Sequence, residues 1–230
     1  AVHAAQKLKR TWLGIDITHL ATALIKQRLF DAFKIKGGNQ YDIIGEPINM
    51  QGAEHLAKQD RFQFQWWALG LLPARPFGAA AGNKKGKKGK DKGIDGIMTF
   101  NDTAKGKDKR IIVQVKSGKV SSRDIRDLHG TVEREKQAVM GVFITLLPAT
   151  RDMLIESMEV GYYHSKALRQ DYPKIQIYTI EELLEWQESM KDRHVNIYQR
   201  TIVKMPFGQT TLKQAEREAD SCSVQHGLGV

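Results

Sequence analysis

Within the apolar run IIVQVK, Gln114 and Lys116 stand two residues apart. On a strand that spacing puts both side chains on one face and turns Val113 and Val115 to the other. Upstream, GIDG sets Asp95 between Gly93 and Gly96, at the start of a second apolar run, Ile94 to Phe100. An aspartate on one strand beside an amide oxygen on the next can hold a hard divalent cation, so Asp95 and Gln114 are the candidate ligands of Mg²⁺ or Mn²⁺. Lys116 can orient or help deprotonate a water for attack on phosphorus, and offset charge in the transition state. Gly93 and Gly96 leave room for a phosphate backbone to approach. The same residues would equally suit a turn aspartate and an exposed sheet face, and the spacing alone does not separate the two.

The chain has 230 residues and a formal net charge of +10. An excess of that size favours a polyanion as partner, nucleic acid before an anionic membrane. The charge is concentrated in GNKKGKKGKDKG, Gly82 to Gly93, where six lysines and one aspartate supply half of it. Lys84, Lys85, Lys87, Lys88, Lys90 and Lys92 are the candidate DNA contacts, neutralising phosphates without reading sequence. Asp91 in the same run is a weaker candidate for an extra carboxylate. The longest apolar run, GVFITLLP, has the length of a buried strand and falls well short of the roughly 18 residues that span a bilayer. The single cysteine, Cys222, excludes an internal disulfide and a thiolate zinc site, and suits a reducing, cytoplasmic setting. His19, His55, His129 and His164 show no metal-ligand spacing.

These residues need elements to hold them. Ala1 to Leu8 reads as a short helix and Thr11 to Ile17 as a strand ending near Asp16. Thr18 can cap a helix to Phe33. KGGNQ breaks the pattern, Tyr41 to Ile44 is a strand candidate, and Gln51 to Leu72 reads as one long helix. Its aromatics Phe62, Phe64, Trp66 and Trp67 are expected in the core rather than as a base-stacking platform. Ile94 to Phe100 and Arg110 to Lys116 read as a hairpin. A helix from Ser121 or Ser122 to about Ala138 follows, then a strand from Gly141, a helix from Thr150 and a strand Lys174 to Tyr178. Thr179 with Glu182 forms the capping-box pattern of a last helix. The tail has no clear period beyond a short helix near Leu212 to Ala219.

GIDG, IIVQVKSG, DIRDLHGTVEREKQAVMGVFITL and YPKIQIYTIEELL together resemble the Mrr-type branch of the PD-(D/E)xK nuclease superfamily, over roughly Gln59 to Leu184. In that branch glutamine commonly replaces an acid. The resemblance implies Mg²⁺-dependent hydrolysis of DNA phosphodiesters, with Asp95 binding metal, Gln114 in the second acidic position and Lys116 catalytic. Related nucleases often carry a glutamate on the preceding helix; RFQFQWWALG has Gln63 and Gln65 there, and Glu54 lies about two turns earlier. One carboxylate remains, so the alternative is a catalytically silent DNA-binding module of a larger DNA methyltransferase.

AVHAAQKLKRTWLGIDITHLATALIKQRL resembles the stretch after the glycine-rich motif of β-type DNA amino-methyltransferases. By that resemblance Asp16 stands where an acid binds the ribose hydroxyls of S-adenosylmethionine; otherwise it is simply an acid before a helix N-terminus. The glycine loop is absent and all six prolines are isolated, so no Pro-Pro grips a target amine, and neither methylation nor binding of S-adenosylmethionine is expected.

The expectation is therefore an α/β chain. Residues 41–190 form a restriction-endonuclease-like mixed sheet flanked by helices, and residues 1–36 a helix-strand-helix remnant of a Rossmann-like methyltransferase domain. Residues 191–230 are a poorly structured extension. The chain is expected to be the C-terminal part of a modification–restriction polypeptide acting as a DNA endonuclease. Its partners are DNA and the methyltransferase portion of the parent chain, not a membrane. Cutting both strands takes two sites, which admits a homodimer.

Overall fold

The computed structural model describes residues 1–38, 40–72, 74–77, 93–102, 108–167 and 169–191. The six lysines of the basic run, Asp91, Cys222 and the Leu212 to Ala219 helix lie outside these residues.

Helices α1 (Val2–Lys7), α2 (His19–Phe33), α3 (Met50–Gln59) and α4 (Arg61–Gly70) come first. Strands β1 (Arg75–Pro76), β2 (Gly96–Phe100) and β3 (Lys109–Lys116) follow, then α5 (Ser122–Arg134), β4 (Ala138–Thr145) and α6 (Arg151–Glu159). The chain continues through β5 (Tyr162–Ser165), β6 (Gln170–Pro173), β7 (Ile175–Thr179) and α7 (Ile180–Lys191). The main sheet has the order β1-β2-β3-β4-β7. The first three strands are antiparallel neighbours, and β3, β4 and β7 run parallel. This is the expected mixed sheet flanked by helices.

Strand β3 lies in the middle and is covered on both faces, which is why it reads as an almost unbroken apolar run. Ile111, Val113 and Val115 enter the core formed with α3, α4 and α7, around Phe64, Trp67, Leu183 and Trp186. Ile112 enters the opposite core, with Ile125, Leu128 and Val132 of α5 and Met153 of α6. Two glycines set the helices close to the sheet. A Cβ on Gly96 would lie 2.6 Å from Leu69 Cδ2, and one on Gly141 only 2.8 Å from Ile175 Cδ1. Any larger residue there makes the Leu69 or Ile175 side chain shift.

Several expectations need correction. The long helix is two: Asp60 adopts extended backbone and caps α4, its Oδ1 accepting from Phe62 N and Gln63 N. Thr11 to Ile17 forms no strand. Trp12 packs on Tyr41 and donates to Gln6 Oε1, while Leu13, Ile15 and Ile17 are bare, since no neighbouring strand pairs with this segment among the described residues. Tyr41 to Ile44 makes only one bridge, Tyr41 to Gly37. The β5–β6 hairpin has no local sequence signature, because YYHS and QDYP lack apolar alternation. Phe64 and Trp67 are core as expected, but Phe62 is 64% exposed.

The hairpin is fastened to the end of β2 by Asp102, which is buried. Its carboxylate accepts from Ser165 Oγ at 2.5 Å, Tyr163 OH at 2.6 Å and the amides of Lys166 and Ala167 at 3.2 Å each. Burial pushes this carboxyl up, but the four donors outweigh it and hold it at about 2. The Tyr163 hydroxyl is pushed up, first by burial and then by Asp102.

Candidate functional site

The site lies where β2 and β3 part. Their ladder starts at Gly96 opposite Val113. Asp95, one residue earlier, still donates its amide to Val113 O and accepts from Phe77 N. Beyond it the carboxylate replaces the missing ladder acceptor: Oδ2 accepts from Val115 N at 2.7 Å. Oδ1 accepts from Gln65 Nε2 of α4 at 2.6 Å. Asp95 thus joins α4 to the split between two strands.

Gln114 and Lys116 lie on the α5 face of β3, while Val113 and Val115 enter the other core, the alternation that their spacing implies. Gln114 is 8% exposed. A Cβ on Gly93 would lie 3.5 Å from its Nε2 and 3.7 Å from Thr131 Oγ1, so the amide sits beneath α5. Gly93 has φ +73°, which glycine adopts without strain. The Gln114 Oε1 atom is buried without a hydrogen-bond partner among the described residues. Lys116 is half-buried, its Nζ 3.6 Å from Asp124 Oδ1. Asp124 also closes the α5 capping box, its Oδ2 accepting from Ser121 N at 2.9 Å.

The buried oxygen of Gln114 has a measurable consequence. An unpaired buried acceptor costs about 1–3 kcal/mol, and methionine has similar length without polar atoms. Gln114→Met is therefore expected to raise the thermal unfolding midpoint by about 4 °C. An unchanged or lowered midpoint would show that the oxygen is satisfied.

The donor set does not fit the expected Mg²⁺ or Mn²⁺. A hard cation favours several anionic oxygens. Here one carboxylate, Asp95, has both oxygens accepting N–H bonds, and the flanking positions are the neutral amides Gln65 and Gln114. No group of three His, Cys, Asp or Glu residues suited to a metal occurs among the described residues. Gln65 was visible in the sequence only as a missing acid; its hydrogen bond to Asp95 crosses from helix to sheet and has no local signal.

Asp16 lies outside this site. Its Oδ1 accepts from Thr18 N at 2.9 Å and Thr18 Oγ1 at 2.8 Å, and these bonds, the backbone one first, hold its carboxyl below the usual range. Thr18 in turn caps α2 by accepting from Ala21 N. In this structure Asp16 is a turn acid before a helix.

The model of a family described as NACHT-associated inactive restriction endonuclease 1 matches residues 81–185. Residues 81–185 are thus similar to a restriction-endonuclease-like domain. The matched residues include Asp95, Gln114 and Lys116 but not residues 1–30. No curated protein matches the sequence. The expectation of an active DNA endonuclease is corrected by this finding, since the matching family is described as inactive. Among the described residues, amides stand at Gln65 and Gln114, and both oxygens of Asp95 accept N–H bonds. No helix among the described residues is long and apolar enough to cross a membrane.

Proposed function

We propose that this restriction-endonuclease-like domain is a catalytically silent module that binds DNA through the phosphate backbone, as a recognition or docking part of a larger enzyme. The observation that carries this reading is the double engagement of Asp95 by Gln65 Nε2 and Val115 N. The residue that would ligate metal in a nuclease is here a structural acceptor, so what remains of the fold's surface is its capacity to bind. The net charge of +10 gives that capacity a sign. Lys116 on β3 and, by sequence, the six lysines of the basic run supply positive charge for phosphates. Neutralising phosphates releases condensed counterions, so such binding weakens steeply with salt and reads no sequence.

The test is a salt titration of affinity for a labelled duplex, comparing the intact chain with one lacking residues 84–90. That segment contains five lysines and no acid. Its removal is expected to lower the slope of log affinity against log salt by up to about 4.5. A slope that the deletion leaves unchanged would remove the basic run from the interface. No affinity for DNA at low salt would overturn the reading itself.

A further inference from the structure

The first turn of α4 carries a feature that neither a nuclease site nor a duplex-backbone surface requires. Phe62 is 64% exposed, whereas Phe64 and Trp67 of the same helix fill the core. At about 100° per residue, Arg61, Gln65 and Phe62 occupy one arc of α4. Gln65 fixes that arc against Asp95. Phe62 therefore stands on the same arc as the Gln65–Asp95 contact and is largely exposed.

Cations lie on Arg61 and on the turn that it reaches. The Arg61 guanidinium drapes over the turn after β3, its Nη2 3.0 Å from where a Cβ on Gly118 would sit. The same turn carries half-buried Lys116 and exposed Lys119, and α5 begins with exposed Arg123. Arg61 and Lys119 have no acidic partner among the described residues. Arg123 and Asp127 approach only to 4.0 Å, both largely exposed, which holds neither firmly. The nearby acids face inward: Asp60 caps α4, Asp124 caps α5, and Asp95 binds Gln65 and Val115.

We propose that this corner binds single-stranded nucleic acid, with an unpaired base stacked on Phe62 and flanking phosphates on Arg61, Lys119 and Arg123. The inference rests on the nucleic-acid reading above and narrows it to one form of the ligand. A phenyl ring offers a stacking face to any base and no hydrogen bond with which to choose among them. Bases inside a duplex are already stacked, so an exposed ring gains nothing from them. A membrane surface fits less well, because the rest of α4 is packed in the core and leaves no extended apolar face to insert.

The experiment measures fluorescence anisotropy of a labelled oligothymidylate and of a labelled duplex of equal length with the full chain. Phe62→Ala is expected to weaken oligothymidylate binding about tenfold and to leave duplex affinity within about twofold. Phe62→Trp is expected to restore the loss. The Arg61→Ala, Lys119→Ala double variant is expected to flatten the salt dependence for the single strand by about 1.4. Phe62 is exposed, so an unchanged melting curve should accompany the alanine variant. Equal oligothymidylate affinity for wild type and Phe62→Ala, or equal losses on both ligands, would overturn the inference while leaving the broader reading standing. Binding of neither ligand by wild type would overturn both.

Discussion

Asp102→Ala is expected to cost about 4 kcal/mol and to lower the unfolding midpoint by about 10 °C. Four donors converge on this carboxylate: Ser165 Oγ, Tyr163 OH and the amides of Lys166 and Ala167. Alanine takes this acceptor from the buried Ser165 hydroxyl, and the part-buried Tyr163 hydroxyl and the amides of Lys166 and Ala167 each lose a charged partner. The effect has a pH signature. The folded carboxyl lies at about 2, below the ordinary unfolded value of about 3.9. Its contribution is therefore fully present above the unfolded value and is lost as pH falls from about 4 towards 2. Thermal melts of wild type and Asp102→Asn between pH 6 and pH 2.5 read this out (both values within the roughly acid-to-neutral span where the linkage acts). The gap in midpoint is expected to be constant above about pH 5 and to narrow below about pH 4. A gap that persists unchanged to the acid end would mean that the carboxylate does not hold the hairpin.

Asp95→Ala is expected to destabilise by about 3 kcal/mol, or roughly 9 °C in midpoint. In a working nuclease an acid of this kind is held among other acids around a cation, and removing it relieves repulsion. In this chain its neighbours are donors, Gln65 Nε2 at 2.6 Å and Val115 N at 2.7 Å, so removing it breaks bonds. Asp95→Asn is expected to fall between, because one amide oxygen can serve only part of what two carboxylate oxygens do. Mg²⁺ is expected to leave the wild-type midpoint unchanged. A variant more stable than wild type, or a midpoint that rises with Mg²⁺, would return Asp95 to the role of a metal ligand.

Much of the sheet was legible from local pattern. IIVQVK reads as a strand with Gln114 and Lys116 on one face because side-chain alternation is intrinsic to extended backbone. Thr179 and Glu182 mark the start of α7, and both reciprocal bonds are present, Thr179 N to Glu182 Oε2 and Glu182 N to Thr179 Oγ1. Thr18 and Thr150 likewise cap the helices expected after them. What was not legible depends on partners remote in sequence. Leu13, Ile15 and Ile17 alternate as a strand does, but a strand needs a neighbour, and sequence does not reveal whether one is present. Asp60 interrupts an otherwise continuous helical pattern by preferring to cap the next turn. At the site, the residue types were readable and their use was not. Gln65 was a missing acid until the fold set it against Asp95, and Phe62 was a core aromatic until its face of α4 proved to be open.

The most direct test is incubation of supercoiled plasmid with the full chain, in Mg²⁺ and separately in Mn²⁺, at protein concentrations that retard all of the DNA in a gel. Wild type and Lys116→Ala are both expected to retard the plasmid, which is recovered uncut and supercoiled from each. Nicked or linear product from wild type that disappears with Lys116→Ala would contradict a catalytically silent site.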